Sequence, residues 1–171
     1  MNRNAFTEQA AAWLDRLRQR GADPGFRAAL RHWLSDAARP RAYPALLELR
    51  GSLDDEAFNT VAALYAWHPE DRRDGSGLGR LCRQLAAGLS TFEGRLKRLL
   101  LCDTEELRRH LQAVILAARA KGVPVDYLQL YLDVRSWPHD HYGEQVRQRW
   151  ATEFWGPEQE TATPQPQEAT P

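Results

Sequence analysis

Apolar residues along this chain recur at intervals of three and four. From Phe6 they run through Ala10, Trp13, Leu14 and Leu17, the spacing of one helix face. Gly21 breaks the pattern, and Asp23-Pro24 supplies an N-cap and a first-turn proline for a second helix carrying Phe26, Leu30, Trp33 and Leu34. Pro44 opens a short third helix through Leu46 and Leu47, closed by Gly51. Ser52 and Asp55 resemble a capping box, with Asp in place of Glu, ahead of Phe58, Val61, Ala62 and Tyr65. His68 to Gly77, rich in charge and glycine, is the longest break. Beyond it Leu78, Leu81, Cys82 and Leu85 repeat at helical spacing, as do Phe92, Leu96, Leu99 and Leu100. Asp103 caps a helix with the stripe Leu107, Leu111, Val114, Ile115 and Ala118, and Gly122 ends it. Pro124 or Asp126 starts another through Leu128, Tyr131 and Leu132, stopped by Trp137-Pro138, and the last holds Val146, Trp150 and Phe154.

No stretch alternates strictly between apolar and polar residues, so no sheet is expected. The pattern predicts an all-α fold of two small packed helical bundles, residues 1–71 and 72–155, with roughly eight to nine helices in all. Residues 156–171 hold four prolines, three glutamates and no large apolar side chain, the composition of a disordered tail. The chain has 171 residues, 43% of them hydrophobic and six of them tryptophan, enough for a real core. Neither a signal peptide nor a membrane span is visible, and a cytoplasmic location is expected. Cys82 and Cys102 sit among leucines and read as buried free thiols. Trp13, Trp33 and Trp150 share apolar faces and read as core. Trp67, Trp137 and Trp155 fall at helix ends, where partner contact is expected more than at the other three.

Charge changes the picture. The net charge is zero, yet Arg72 to Lys121 carries eleven Arg and Lys against five carboxylates, a net +6. Nearly all these cations are arginine, whose fork of donors grips phosphate oxygens and stays protonated. On helical wheels Arg95 and Arg98 share one flank, and Arg108 and Arg119 lie within about 20° of each other, bordering the buried stripe as a phosphate track would. An alanine- and arginine-rich composition could also produce an ordinary solvated face, and charge alone leaves both readings open. His139 and His141 lack further ligands at metal-binding spacing and read as an exposed loop pair. Gly75, Gly77 and Gly79 follow no strand and precede no Lys-Ser/Thr, so they match no nucleotide-binding loop and read as a flexible linker into a helix. No nucleophile–base pair, carboxylate pair or metal-ligand set assembles an active site, and neither cofactor nor metal is expected.

Several stretches together resemble the small subunit of the type I-E CRISPR effector complex Cascade, the CasB family. They are Arg27-Ala28-Ala29-Leu30-Arg31, Ala42-Tyr43-Pro44, Gly77-Leu78-Gly79-Arg80, Phe92-Glu93-Gly94-Arg95-Leu96, Leu107-Arg108-Arg109-His110-Leu111, Val123-Pro124-Val125-Asp126-Tyr127, Leu132, Trp137 and Trp150 to Trp155. The resemblance spans roughly Ala10 to Trp155 and leaves the tail outside. It implies a non-catalytic helical subunit, present as two copies in the complex, whose basic surface meets guide RNA and target or displaced DNA. Other Cascade subunits and the second copy would be its protein partners. The residues matching basic positions of that family are Arg27, Arg31, Arg80, Arg95, Arg108 and Arg109. Lys97, Arg98, Arg119 and Lys121 join them on charge alone. The acidic run Asp54-Asp55-Glu56 departs from relatives that place a cation there, which puts contacts from that helix in doubt. The competing expectation is a helical protein-interaction module whose arginines meet acidic partner proteins.

Overall fold

The computed structural model describes residues 3–87 and 91–158. Among them nine α-helices form: α1 (Arg3–Arg20), α2 (Pro24–Arg31), α3 (Tyr43–Arg50), α4 (Glu56–Trp67), α5 (Leu78–Leu85), α6 (Thr91–Leu101), α7 (Thr104–Lys121), α8 (Tyr127–Ser136) and α9 (Asp140–Trp155). Two 3₁₀ turns, His32–Leu34 and Arg39–Ala42, join α2 to α3. The described residues contain no strand; one isolated parallel bridge pairs Asp71 with Val125. The fold is all-α, as the periodicity predicts. Of the expected tail, 159–171 lies outside the described residues.

Local chemistry sets most boundaries. Asp23, Asp55, Asp103 and Asp126 each accept a backbone N–H two or three residues on, satisfying amides that the helix itself leaves unpaired. Gly51 and Gly122 close α3 and α7 at φ 76° and 64°, a left-handed conformation that costs glycine least. The expected capping box at Ser52 is corrected: Asp55 is the cap of α4, and the Ser52 hydroxyl instead accepts from the Asp54 amide at 3.1 Å. The second helix also ends earlier than its apolar spacing suggests, so that Trp33 and Leu34 fall in a 3₁₀ turn.

α4 is the centre of the core. Nine of its residues, Phe58 to Ala66, are buried, so it is covered on all sides, by α2, α7 and α8 among others. Two polar side chains inside it find partners: Asn59 donates through Nδ2 to the Leu53 carbonyl, although its Oδ1 has no hydrogen-bond partner among the described residues, and Thr60 accepts from Trp33 Nε1. Buried residues before and after the His68–Gly77 segment form one continuous cluster. That segment is tied down by Asp126, whose Oδ2 accepts the amides of Asp74 and Gly75 at 3.0 and 2.8 Å. Both cysteines are buried free thiols, and burial pushes Cys82 up to about 12.

Three local expectations change. Gly77 and Gly79 are buried rather than a flexible linker: α9 crosses so closely that a Cβ on Gly79 would lie 2.0 Å from the Trp150 carbonyl oxygen. From α9, Glu153 reaches over to accept the amides of Gly77 and Arg80 at 2.9 and 3.3 Å, capping α5 from a distant element. His139 and His141 are exposed but not in a loop, since α9 starts at Asp140 with His139 as its cap residue. Trp137 is 2% exposed, stacked at 5.0 Å on Trp150, and so is core instead of a contact surface. Trp155, at 45%, stays exposed.

Candidate nucleic-acid interface

α2 and α7 bring three of the expected arginines together. Burial of Phe26 and Leu30 on α2 leaves Arg27 and Arg31 on its flank. Arg27 donates through Nη1 to the Gly21 carbonyl at 2.7 Å, and Arg31 through Nε to the Ala66 carbonyl at 3.0 Å. Ala66 lies in the last turn of α4, where carbonyls lack helical partners and the helix dipole favours a cation. The Arg31 guanidinium also covers the Trp67 ring, 4.7 Å from its centroid. Arg119 comes up from the last turn of α7. Burial, followed by the neighbouring charges of Arg119 and Arg27, holds Arg31 below the usual arginine value. Like charges are crowded there, and none of the three forms an ion pair among the described residues.

A second group flanks the other side of α7. Arg95 and Arg98, one turn apart on α6, are exposed and line a small groove against His110. The Arg95 guanidinium lies 5.3 Å from the Phe92 ring centroid, which steadies its stem. Arg109 is exposed on the outward face of α7 between the two groups.

Lys97, Lys121 and Arg108 are engaged within the fold. Lys97 pairs with Glu93 at 2.7 Å, and Lys121 donates to the Leu85 carbonyl at the end of α5, also at 2.7 Å. Arg80 is half-buried in the first turn of α5, beside the amides held by Glu153. Arg108 donates through Nη2 to Asp36 Oδ1 at 2.9 Å, and the same oxygen accepts Arg39 Nη2 at 3.0 Å. Arg108 and Arg119 are therefore not one free row: the first is neutralised from the loop before α3, while the second faces α2. Sequence reasoning missed Asp36, Arg39 and His110, and it singled out Trp67 for partner contact without the Arg31 guanidinium that covers its ring. For His110 a signal existed, since helical spacing sets it one turn from Val114 on α7.

The acidic run at the head of α4 turns inward. Asp55 is buried, and besides the Phe58 amide it accepts Tyr131 Oη and, at 2.8 Å, Arg135 Nη1. Burial and the bond to Asp55 raise Tyr131 out of its ordinary range. This cluster ties α4 to α8.

The fold and its surface thus define a class: a small, wholly helical protein that fixes unpaired arginines on helix flanks. More narrowly, residues 26–155 match the family model of CRISPR-associated protein Cse2, and the chain belongs to that family. Among solved structures it resembles a Cse2-family CRISPR-associated protein from Thermus thermophilus, at 29% identity over 88% of this chain and 98% of that one, with a TM-score of 0.73. The fold is shared with CasB of M. ruber (23% identity, 85% and 92% covered, TM-score 0.66). It is shared too with a chain of a CRISPR RNA-guided surveillance complex (23%, 86% and 94%, TM-score 0.68). No match was found among curated proteins.

Proposed function

We propose that this chain is a non-catalytic, architectural subunit of an RNA-guided antiviral DNA surveillance complex, where it grips nucleic-acid backbone and stabilises the guide RNA–target DNA R-loop and its displaced strand. Family membership supports the setting. The observation that carries the binding reading is the Arg27–Arg31–Arg119 cluster, three cations held close without a carboxylate among the described residues. Crowded like charge is relieved when a polyanion arrives, and Arg27 and Arg31 are positioned in advance, by carbonyls and, for Arg31, by Trp67. Arg95, Arg98 and Arg109 extend the same basic surface. In such complexes base pairing reads sequence, while protein contacts to backbone tip a nearly balanced strand exchange. The other subunits and a second copy of this chain would be its protein partners.

The test replaces Arg27, Arg31 and Arg119 with Ala and measures incorporation into the complex and R-loop lifetime at several salt concentrations. Three backbone contacts to a single strand contribute about 2 to the slope of log affinity against log salt, or about 20-fold between 50 and 200 mM. Normal incorporation with a shortened lifetime and a shallower slope is expected. Unchanged lifetime would sink the assignment, and lost incorporation would turn these arginines into a protein interface.

A further inference from the structure

Two cavities among the described residues differ in their chemistry. The larger, about 630 Å³, lies at the heads of α4 and α7 and beside the end of α8; five carboxylates face four arginines there, which leaves no excess of positive charge. The smaller, about 220 Å³, lies between α6 and α7 and is lined by Arg95, Arg98, Leu99, His110, Ala113 and Val114, with no carboxylate among them. Leu99 and Val114 are buried and form an aliphatic floor, Ala113 is half-buried at the side, and the arginines stand exposed at the rim without ion pairs among the described residues.

From this we infer that the α6–α7 groove is a base-accepting pocket for single-stranded DNA: one unstacked base enters over Leu99, Ala113 and Val114 while Arg95 and Arg98 hold its flanking phosphates. The inference rests on the backbone-binding reading above and adds a subsite to it. An apolar floor beneath a cationic rim matches what one nucleotide presents, an apolar ring face between two anions. Arg95 and Arg98 are separated by about 4.5 Å along the helix axis, so their long side chains can fan to either side of a single nucleoside. The cavity has room for one base and not for a pair, and bases inside a duplex are stacked away from it. Its aliphatic floor of Leu99, Ala113 and Val114 suits the thymine methyl, which uracil lacks, and this favours DNA over RNA.

Fluorescence anisotropy of the full chain at low salt tests this with three labelled strands of equal phosphate count: oligo-dT, oligo-rU and a strand with abasic sites. The wild type should bind oligo-dT at least about fourfold more tightly than the abasic strand, the value of burying one methyl-sized group. Ala113→Phe, which fills the cavity, should bring oligo-dT down to the abasic level and leave abasic binding unchanged. Arg95→Ala with Arg98→Ala should weaken both strands alike. A thermal melt confirms that each variant folds. Equal binding of oligo-dT and the abasic strand by the wild type would overturn the pocket while leaving the backbone reading intact. Equal binding of oligo-rU and oligo-dT would overturn the choice of DNA, and binding of no strand would overturn pocket and backbone reading together.

Discussion

Gly79 is where the packing of α5 on α9 can be broken with a single methyl group. A Cβ added there would lie 2.0 Å from the Trp150 carbonyl oxygen and 2.7 Å from its carbonyl carbon and Cα, where ordinary contact begins at 3.4 Å. Those atoms are helix backbone and cannot swing aside, so α9 must back away by roughly an ångström or more, and overpacking of this kind costs about 1–3 kcal/mol. Retreat of α9 also pulls Glu153 from the amides of Gly77 and Arg80, a cap worth about 1 kcal/mol. Against this, Ala in place of Gly inside a helix gains about 1 kcal/mol. Gly79→Ala should therefore destabilise the protein by about 2 kcal/mol, a fall of about 1 M in the urea midpoint. The internal control is Gly94→Ala in α6, where nothing lies within 4 Å of the added Cβ and only the helix gain of about 1 kcal/mol should remain. Urea melts followed by circular dichroism measure both. If Gly79→Ala proved as stable as the wild type, α5 and α9 would not pack this closely and the reasoning would fail.

Asp36→Ala should free Arg39 and Arg108 from the oxygen they share, so single-strand affinity should rise a few-fold and its salt slope should steepen by about 0.7 for each phosphate gained. An unchanged slope would mean that Arg108 serves only to tie α7 to the loop. Burial pushes Cys82 up to about 12 and Cys102 up to about 11, so at about pH 8, near the ordinary thiol range, both should resist a thiol-specific dye in the folded protein and label fully in urea. Rapid labelling of either one in the native state would contradict its burial.

The parts of this fold legible in the sequence are those set by neighbours in the chain. Asp23, Asp103 and Asp126 cap helices because each side chain reaches an amide two or three residues ahead, and Gly51 and Gly122 end helices by local backbone geometry. The illegible parts depend on residues far along the chain. Gly79 is tight because of Trp150, so a string of glycines that looks like a hinge in isolation is a packing surface once α9 is laid on it. The same holds for the surface charges. A helical wheel puts Arg31 and Arg119 on the borders of their own stripes, but only packing brings α2 and α7 together and crowds the two. Asp36 gave no hint of its bond to Arg108, 72 positions away. Trp137 shows the limit of reading helix ends: it follows α8 in sequence, yet the turn into α9 folds it back against Trp150.

How each cation is held decides what it can do at the surface. Lys97 and Arg108 are fixed by carboxylates, which cancel their charge as they position them. Arg27, Arg31 and Lys121 are fixed by backbone carbonyls beside helix C-termini, which orient the side chain but leave the full positive charge in place. One bond of this kind uses one donor, and a guanidinium carries five, so Arg27 and Arg31 remain able to grip an anion while their entropy cost of ordering has largely been met in the folded state. Counting charges along the chain therefore misjudges this protein twice. It includes cations that are internally neutralised, and it misses that helix ends can hold others rigid at undiminished charge. A neutral chain can in this way present a locally basic, preorganised face, and the carbonyl-held arginines of α2, with the unpaired Arg119 opposite, are the part of that face best prepared to meet a phosphate backbone.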